Sequence, residues 1–348
     1  MPDKTMRAAF VKAPFYIELR EIPVPEVKDN WALIKVEACG ICGTDMHIAQ
    51  LTNHRLTPFP PTQWQGFGHE VAGVVEAVGN GITHVKEGDK VVLESSSVDP
   101  FSTVARNGRP DLNNKAPNFW NNDSMGFADY ILAPKEALVT YDGLSPEVAS
   151  LAEPLGVALD MVYTAEPELG NDVLVLGLGV IGLMAIPVAR LHGASYIYAV
   201  NRSRGKRFEV ASQYGANKVI STHDTLLNDI EFRAGGVDRA LVSAPPSLLP
   251  DVFKVLNYGG IISYIGIEYG DGATISIDVN DFHFNKTQLR ASHASPALYF
   301  PIALQLLKDR IVDGEVIISH VMTLDEIKDA MELMRDKREN VLKIVIKP

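Results

Sequence analysis

The sequence predicts an α/β protein: a barrel-like, mostly-β region followed by a doubly wound parallel sheet. Three observations predict it. Between Arg7 and Val92, short runs of alternating apolar residues are broken by turn residues. From Asp172 onward, apolar strand-like runs alternate with amphipathic helical stretches. A glycine-rich turn, Gly177 to Gly182, stands between the first of those runs and the helix that follows it.

In the first region the runs are Ala8–Val11, Ala32–Val36, Glu70–Val78 and Lys90–Leu93. Successive side chains of a strand point to opposite faces, so alternation places one face on a core, as in an antiparallel barrel-like sheet. Residues 95–124 are rich in Asn, Ser, Pro and Asp, lack periodicity, and are expected to form a long loop. Ser145 before Pro146 marks a helix start: the hydroxyl accepts from a free N–H, and proline needs no donor at the first helical position. Strands are then expected at Val173–Leu176, Tyr196–Val200, Lys218–Ile220, Arg239–Val242 and Gly260–Ile265, joined by right-handed crossovers. Tyr299–Leu307 and Leu324–Met334 read as helices and Val341–Ile346 as a final strand.

Composition bounds the function. With 46% hydrophobic and 22% charged residues over 348 positions, the chain can bury two cores, which excludes a disordered class. The net charge of −11 contains no basic block, so attraction to a nucleic-acid backbone has no source. The uncharged run Val173–Ala189 falls short of a membrane span and holds glycines and Pro187. Met1–Lys12 lacks the apolar core of a secretory signal, and Cys39 and Cys42 are the only cysteines. A cytoplasmic location without a disulfide framework is therefore expected.

In Gly177-Leu178-Gly179-Val180-Ile181-Gly182, the first glycine permits a tight turn, the second lets backbone approach a pyrophosphate, and the third lets the helix pack closely on the sheet. The helix N-terminus then faces the anion. The next strand ends at Asn201, where an NAD-selective site usually has a carboxylate. Arg202, Ser203 and Arg204 follow, with Lys206 and Arg207 close behind; guanidinium groups match phosphate oxygens, so the cluster favours NADP over NAD.

Cys39 and Cys42 have no second cysteine pair, so any metal site needs other ligands. Asp45, His47, His69 and Glu70 are candidates nearby, and Glu153 lies at the join of the two regions. Cys39 reads as a packing residue.

The stretches Gly40-Ile41-Cys42-Gly43-Thr44-Asp45-Met46-His47, Gly68-His69-Glu70 and Ala152-Glu153-Pro154-Leu155 resemble the zinc-dependent alcohol and polyol dehydrogenases of the medium-chain family. The motifs are nearest to its sorbitol, threonine and NADP-using sugar dehydrogenases, and the resemblance covers essentially the whole chain. It implies a GroES-like catalytic domain over residues 1–156 and 292–348 and a Rossmann domain over 157–291. It also implies zinc on Cys42 and His69, completed by Glu70 or Glu153 and a water. A thiolate, an imidazole and a carboxylate with one open position is a normal catalytic zinc set. Thr44 and His47 would relay the proton that a metal-acidified hydroxyl loses, with Glu70 close to that chemistry.

The chain departs from the family after Val92, where many members hold a second, structural zinc on four cysteines. Residues 95–124 contain no thiol, so one zinc per chain is expected and the lobe must be held by packing, with Phe101, Phe119 and Trp120 as candidates, or by a neighbouring subunit. The expected substrate is a sugar, polyol or related alcohol, with specificity set by residues 51–65, 95–125 and 293–299, and the assembly a homodimer or homotetramer. A zinc-free enone or quinone reductase of the same superfamily would not need Cys42, His69 and Glu153 together. A non-catalytic NADP-binding sensor would show no turnover.

Overall fold

The computed structural model describes residues 5–50, 63–113, 117–336 and 341–348. Residues 51–62 of the first expected specificity segment, with His54, lie outside them. The chain divides at Glu153/Pro154 and at Ala294/Ser295 into two compact units.

The first unit opens with β1 (Thr5–Lys12) and β2 (Tyr16–Pro23), an antiparallel hairpin paired from Thr5↔Pro23 to Lys12↔Tyr16. Sequence reading missed β2 because little of it is buried and Glu18, Arg20 and Glu21 give it no apolar run. Then come β3 (Trp31–Gly40), α1 (Gly43–Gln50), β4 (Gln65–Gly66), β5 (Glu70–Val78) and β6 (Lys90–Leu93). The β3–β5 register shifts at Leu33/Ile34 and at Val36/Ala38. Such bulges bend a strand and raise its twist. The described residues of 95–124 are irregular, as expected, except for α2 (Thr103–Arg106) and a 3-10 turn at Pro110–Leu112. Of the residues expected to pack this lobe, Phe119 is fully buried and Trp120 packs against the core, but Phe101 is 74% exposed, with the Arg106 guanidinium 5.8 Å over its ring. Ser102 caps α2, Asn113 Nδ2 donates to Asp99 O and Ser102 Oγ, and Ser97 Oγ donates to Pro117 O. Strands β7 (Tyr130–Pro134) and β8 (Leu138–Thr140) follow, then α3 (Pro146–Ala149), whose N-cap Ser145 accepts from Val148 N.

The chain leaves this unit within α4 (Ala152–Ala165). The second unit contains β9 (Asp172–Leu176), α5 (Val180–Leu191), β10 (Tyr196–Asn201), α6 (Lys206–Gln213), β11 (Lys218–Ser221) and β12 (Val237–Val242). It continues with α7 (Leu249–Lys254), β13 (Leu256–Tyr264), α8 (Val279–Phe284) and β14 (Gln288–Ala291). Among the described residues these strands form one parallel sheet in the order β11-β10-β9-β12-β13-β14. That is the Rossmann order, in which ligands bind outside the carboxyl ends of the strands where the winding reverses, here at β9 and β12. Every residue of β9 is buried, as a central strand covered on both faces requires. Leu174, Leu176, Val200, Val242, Val252 and Ile262 make much of the core.

The chain then returns to the first unit as α9 (Phe300–Lys308), α10 (Gly314–Ile317), β15 (Ile318–Thr323), α11 (Ile327–Arg335) and β16 (Lys343–Lys347). β16 pairs antiparallel with β3 and parallel with β15, completing a sheet in the order β15-β16-β3-β5-β6-β8, with β7 also on β3. Ile34, Val36, Val71, Val91, Ile327, Met331 and Ile344 fill the core beneath it. Among the described residues no helix is long and apolar enough to cross a membrane.

Candidate functional site

The end of β3 and the start of β5 lie side by side, with Gly40 opposite Glu70 and Cys39 opposite Val71. Just past one strand end comes Cys42; just before the other comes His69. A Cβ on Gly40 would stand 2.0 Å from Glu70 Oε2, so glycine is required for that carboxylate to lie across β3. Gly68, at φ +90°, turns the chain into His69 through the left-handed region that favours glycine. Asp45, fully buried on α1, ties the two approaches together: Oδ2 accepts from Cys42 N at 2.8 Å and Oδ1 from Gly68 N at 3.0 Å.

The structure brings Cys42 Sγ, a ring nitrogen of His69 and a carboxylate oxygen of Glu70 within 4.8 Å of one another. From the start of α4, Glu153 Oε1 reaches to 3.9 Å from His69 Nε2, while His69 Nδ1 stands 3.8 Å from Asp45 Oδ1. That Nδ1 is buried without a hydrogen-bond partner among the described residues, and the gap to Glu153 is too long for a direct bond. Soft and borderline donors gathered at this spacing fit zinc, whose bonds to sulfur, nitrogen and oxygen run about 2.0–2.3 Å. Thr44 Oγ1 lies 3.7 Å from Cys42 Sγ, and His47, half-buried, follows one turn later on α1.

Glu70 is already engaged. Both its oxygens lie 2.6 Å from Lys343 Nζ, which also donates to Ile41 O at 2.9 Å. Burial alone would lower the pKa of Lys343, but Glu70, with Cys42 beyond it, raises it and keeps the ammonium charged. Glu153 has no such partner: burial, reinforced by Glu70 and Asp45, outweighs His69 and Lys343 and pushes it up to about 7. Burial also opposes a charge on His69, yet Cys42 and Asp45 prevail and hold its pKa well above the ordinary value.

In the second unit, Gly177 sits at φ +96° with its N–H on Val200 O, and Ser243 Oγ donates to Gly177 O at 2.9 Å. Gly179 is the N-cap of α5, with nothing within 4 Å of where a Cβ would stand. At Gly182 that Cβ would fall 1.9 Å from Gly177 O. Leu178, Val180 and Ile181 complete the turn, Leu178 buried and the other two half-buried. Asn201 Oδ1 accepts from Leu178 N at 3.2 Å and its Nδ2 donates to Ser203 O at 3.0 Å. Arg204 pairs with Asp224 at 2.9 Å, and Arg202 and Ser203 are exposed.

Residues 28–143 match the alcohol dehydrogenase GroES-like domain and residues 180–309 the zinc-binding dehydrogenase domain. An L-threonine 3-dehydrogenase of Bacillus velezensis is 30% identical, the match covering 92% of this chain and 93% of that one. The chain belongs to the zinc-dependent medium-chain alcohol and polyol dehydrogenases. Solved members agree in fold: the 2R,3R-butanediol dehydrogenase of Bacillus subtilis (28% identity, TM-score 0.84, 99% of each chain). The alcohol dehydrogenase of Thermus sp. ATN1 superposes at TM-score 0.85, with 27% identity over 98% of this chain and 99% of that one. This medium-chain dehydrogenase is an oxidoreductase acting on CH–OH groups.

The structure gives three residues roles that the sequence does not show. Asp45, a candidate ligand by sequence, ties two loops together. Lys343 is the buried one of the two lysines that flank the apolar run of β16, and sequence alone does not tell it from Lys347. Arg207, half-buried, donates to Leu178 O at 2.8 Å and so braces the glycine turn from α6.

Proposed function

We propose that this enzyme is a zinc-dependent, NADP(H)-preferring dehydrogenase that oxidises a secondary or hemiacetal hydroxyl of a sugar, polyol or related alcohol by hydride transfer to the nicotinamide. The observation that carries the reading is the convergence of Cys42, His69 and Glu70, with Glu153 3.9 Å from His69. Glu153, rather than Glu70, is the third ligand on electrostatic grounds. The Glu70–Lys343 pair is neutral, whereas Glu153, 3.9 Å from His69 Nε2, has no lysine or arginine bonded to it among the described residues and is the carboxylate better suited to a dication. Bound there, zinc supplies a Lewis acid that lowers the pKa of a substrate hydroxyl.

The chain's own residues do the rest. Asp45 fixes the Cys42 and His69 loops so the donors converge before any ion arrives. The Thr44 hydroxyl would relay the substrate proton toward His47, one turn further along α1. In the other unit, the N-terminus of α5 and the bare backbone of Gly179 receive the pyrophosphate. Asn201 carries no charge to repel a 2′-phosphate and is occupied in bracing the turn, which leaves the exposed Arg202 and Ser203 to hold that phosphate, with Arg204 joining them by exchanging Asp224 for it. We further propose a homodimer or homotetramer, consistent with β14 pairing only with β13 among the described residues.

A metal assay with a rate survey of sugars, polyols and secondary alcohols, run with both cofactors, tests this reading. We expect one zinc per chain, loss of both metal and turnover in Cys42→Ser, and an NADP preference that collapses in Arg202→Ala. A metal-free preparation with full activity overturns it.

A further inference from the structure

We propose that Ser243 is a positioning residue for the cofactor's pyrophosphate: its hydroxyl and the Asn201 carboxamide grip one peptide of the glycine turn from opposite sides and fix which way that peptide faces. The inference rests on the turn as the pyrophosphate site and gives a role to a residue outside the glycine motif. In the second unit's sheet, β9 lies between β10 and β12. Asn201 ends β10 and Ser243 follows β12, so each reaches the turn after β9 from its own side. Ser243 N donates to Leu176 O at 2.9 Å, which anchors the residue, and its Oγ donates to Gly177 O at 2.9 Å. Across from it, Asn201 Oδ1 accepts from Leu178 N at 3.2 Å. Gly177 O and Leu178 N belong to the same planar peptide unit.

That peptide needs holding because of what precedes it. Gly177 sits at φ +96°, and a glycine lacks the Cβ that elsewhere restricts rotation of the backbone. Turning the peptide over would exchange the directions of its carbonyl and its N–H, and an anion site built from N–H groups cannot tolerate a carbonyl among them. The grip prevents the exchange. The next carbonyl, Leu178 O, is taken by Arg207 at 2.8 Å. The carbonyls of the turn's first two residues are thus both held by side-chain donors. Gly179, the N-cap of α5, has no side chain to occupy the first N–H groups of that helix. Donors remain for the phosphates while the acceptors are tied down.

The fit around the hydroxyl is close. A Cβ on Gly177 would stand 2.8 Å from Ser243 Oγ and 2.8 Å from Ala244 N, and one on Gly182 3.0 Å from Ser243 Oγ. The hydroxyl therefore lies beside both the first and the third glycine of the motif. Ala244 is buried, and Pro245 and Pro246 follow it with their φ angles fixed, so the end of β12 has little freedom to move away. Alanine at position 243 would keep this packing and remove only the donor. A turn that already faces the right way binds without the cost of ordering it, so the hydroxyl acts on affinity through the peptide it holds.

The test compares the parent with Ser243→Ala and Ser243→Thr. Titration with NADPH and NADH in the absence of substrate, followed by nicotinamide emission, gives dissociation constants for ligands that carry a pyrophosphate. Adenosine, added in competition, gives one for a ligand that does not. We expect Ser243→Ala to bind the tighter dinucleotide about fivefold more weakly, the effect of one neutral hydrogen bond, and Ser243→Thr to recover most of the loss. Adenosine should bind parent and variants alike, which also shows that the crevice is still folded. Undiminished dinucleotide binding in Ser243→Ala overturns the proposal, as does an equal loss for adenosine or a threonine variant no better than alanine. A parent that binds neither dinucleotide counts instead against the turn as the pyrophosphate site.

Discussion

Glu70 and Glu94 are both buried carboxyls, and the protein treats them differently. Glu70 has its charge answered by Lys343. Glu94, just beyond β6, has no cation acting on it, and burial pushes it up to about 8 from an ordinary 4.5. The consequence for stability follows from linkage. Below the ordinary value both folded and unfolded chains hold the proton, and above about 8 neither does. Between them the folded chain keeps a proton that the unfolded chain has lost, so stability falls as pH rises across that window. Glu94→Gln removes the penalty. We expect the variant to gain little at pH 5 and a few kcal/mol by pH 8, at roughly 1.4 kcal/mol per pKa unit before relaxation reduces it. Denaturant unfolding of both proteins at the two pH values checks this, and parallel pH profiles would refute it.

At the scale of elements, the β9–α5 turn separates fold from function within six residues. A methyl at Gly182 meets Gly177 O at 1.9 Å, whereas one at Gly179 meets nothing within 4 Å. Gly182→Ala should therefore push α5 off the sheet and cost about 1–3 kcal/mol in stability, as overpacked positions do. Gly179→Ala should fold normally, since its φ of −68° suits alanine, yet weaken cofactor binding by filling the approach to the pyrophosphate. Thermal unfolding paired with cofactor titration tells the two apart; equal loss of stability in both would end the distinction. This turn was legible in the sequence because its glycines, strand and helix are contiguous. Cys42 and His69 were legible for the same reason, each sitting in a short local motif. Strands β2, β14 and β15 were not, since an edge strand exposes most of its residues and loses the apolar signal. Nor was the Glu70–Lys343 pair, whose members stand 273 positions apart and meet only because β16 returns beside β3. The choice between Glu70 and Glu153 depends on that pair, so it could not be made from local spacing.

For the molecule as a whole, these contacts separate what the metal does from what holds the chain together. The lobe of residues 95–125 has no thiol to bind a structural ion. It is secured by the Ser102 cap, by Asn113 on Asp99 and Ser102, by Ser97 on Pro117 and by the buried ring of Phe119. None of these involves a donor of the candidate metal site. Around that site, too, the Asp45 tie and the Glu70–Lys343 pair are formed by protein groups alone. Removing the metal should therefore abolish turnover and leave the fold standing. A strong chelator is expected to extract one zinc per chain with unchanged far-UV circular dichroism and no new proteolytic cleavage between residues 95 and 125. The unfolding midpoint should drop only by the linkage that any tightly bound ligand confers, and zinc should restore activity. Extraction of two ions per chain, or a lobe that becomes cleavable once the metal leaves, would show that a second site holds it after all.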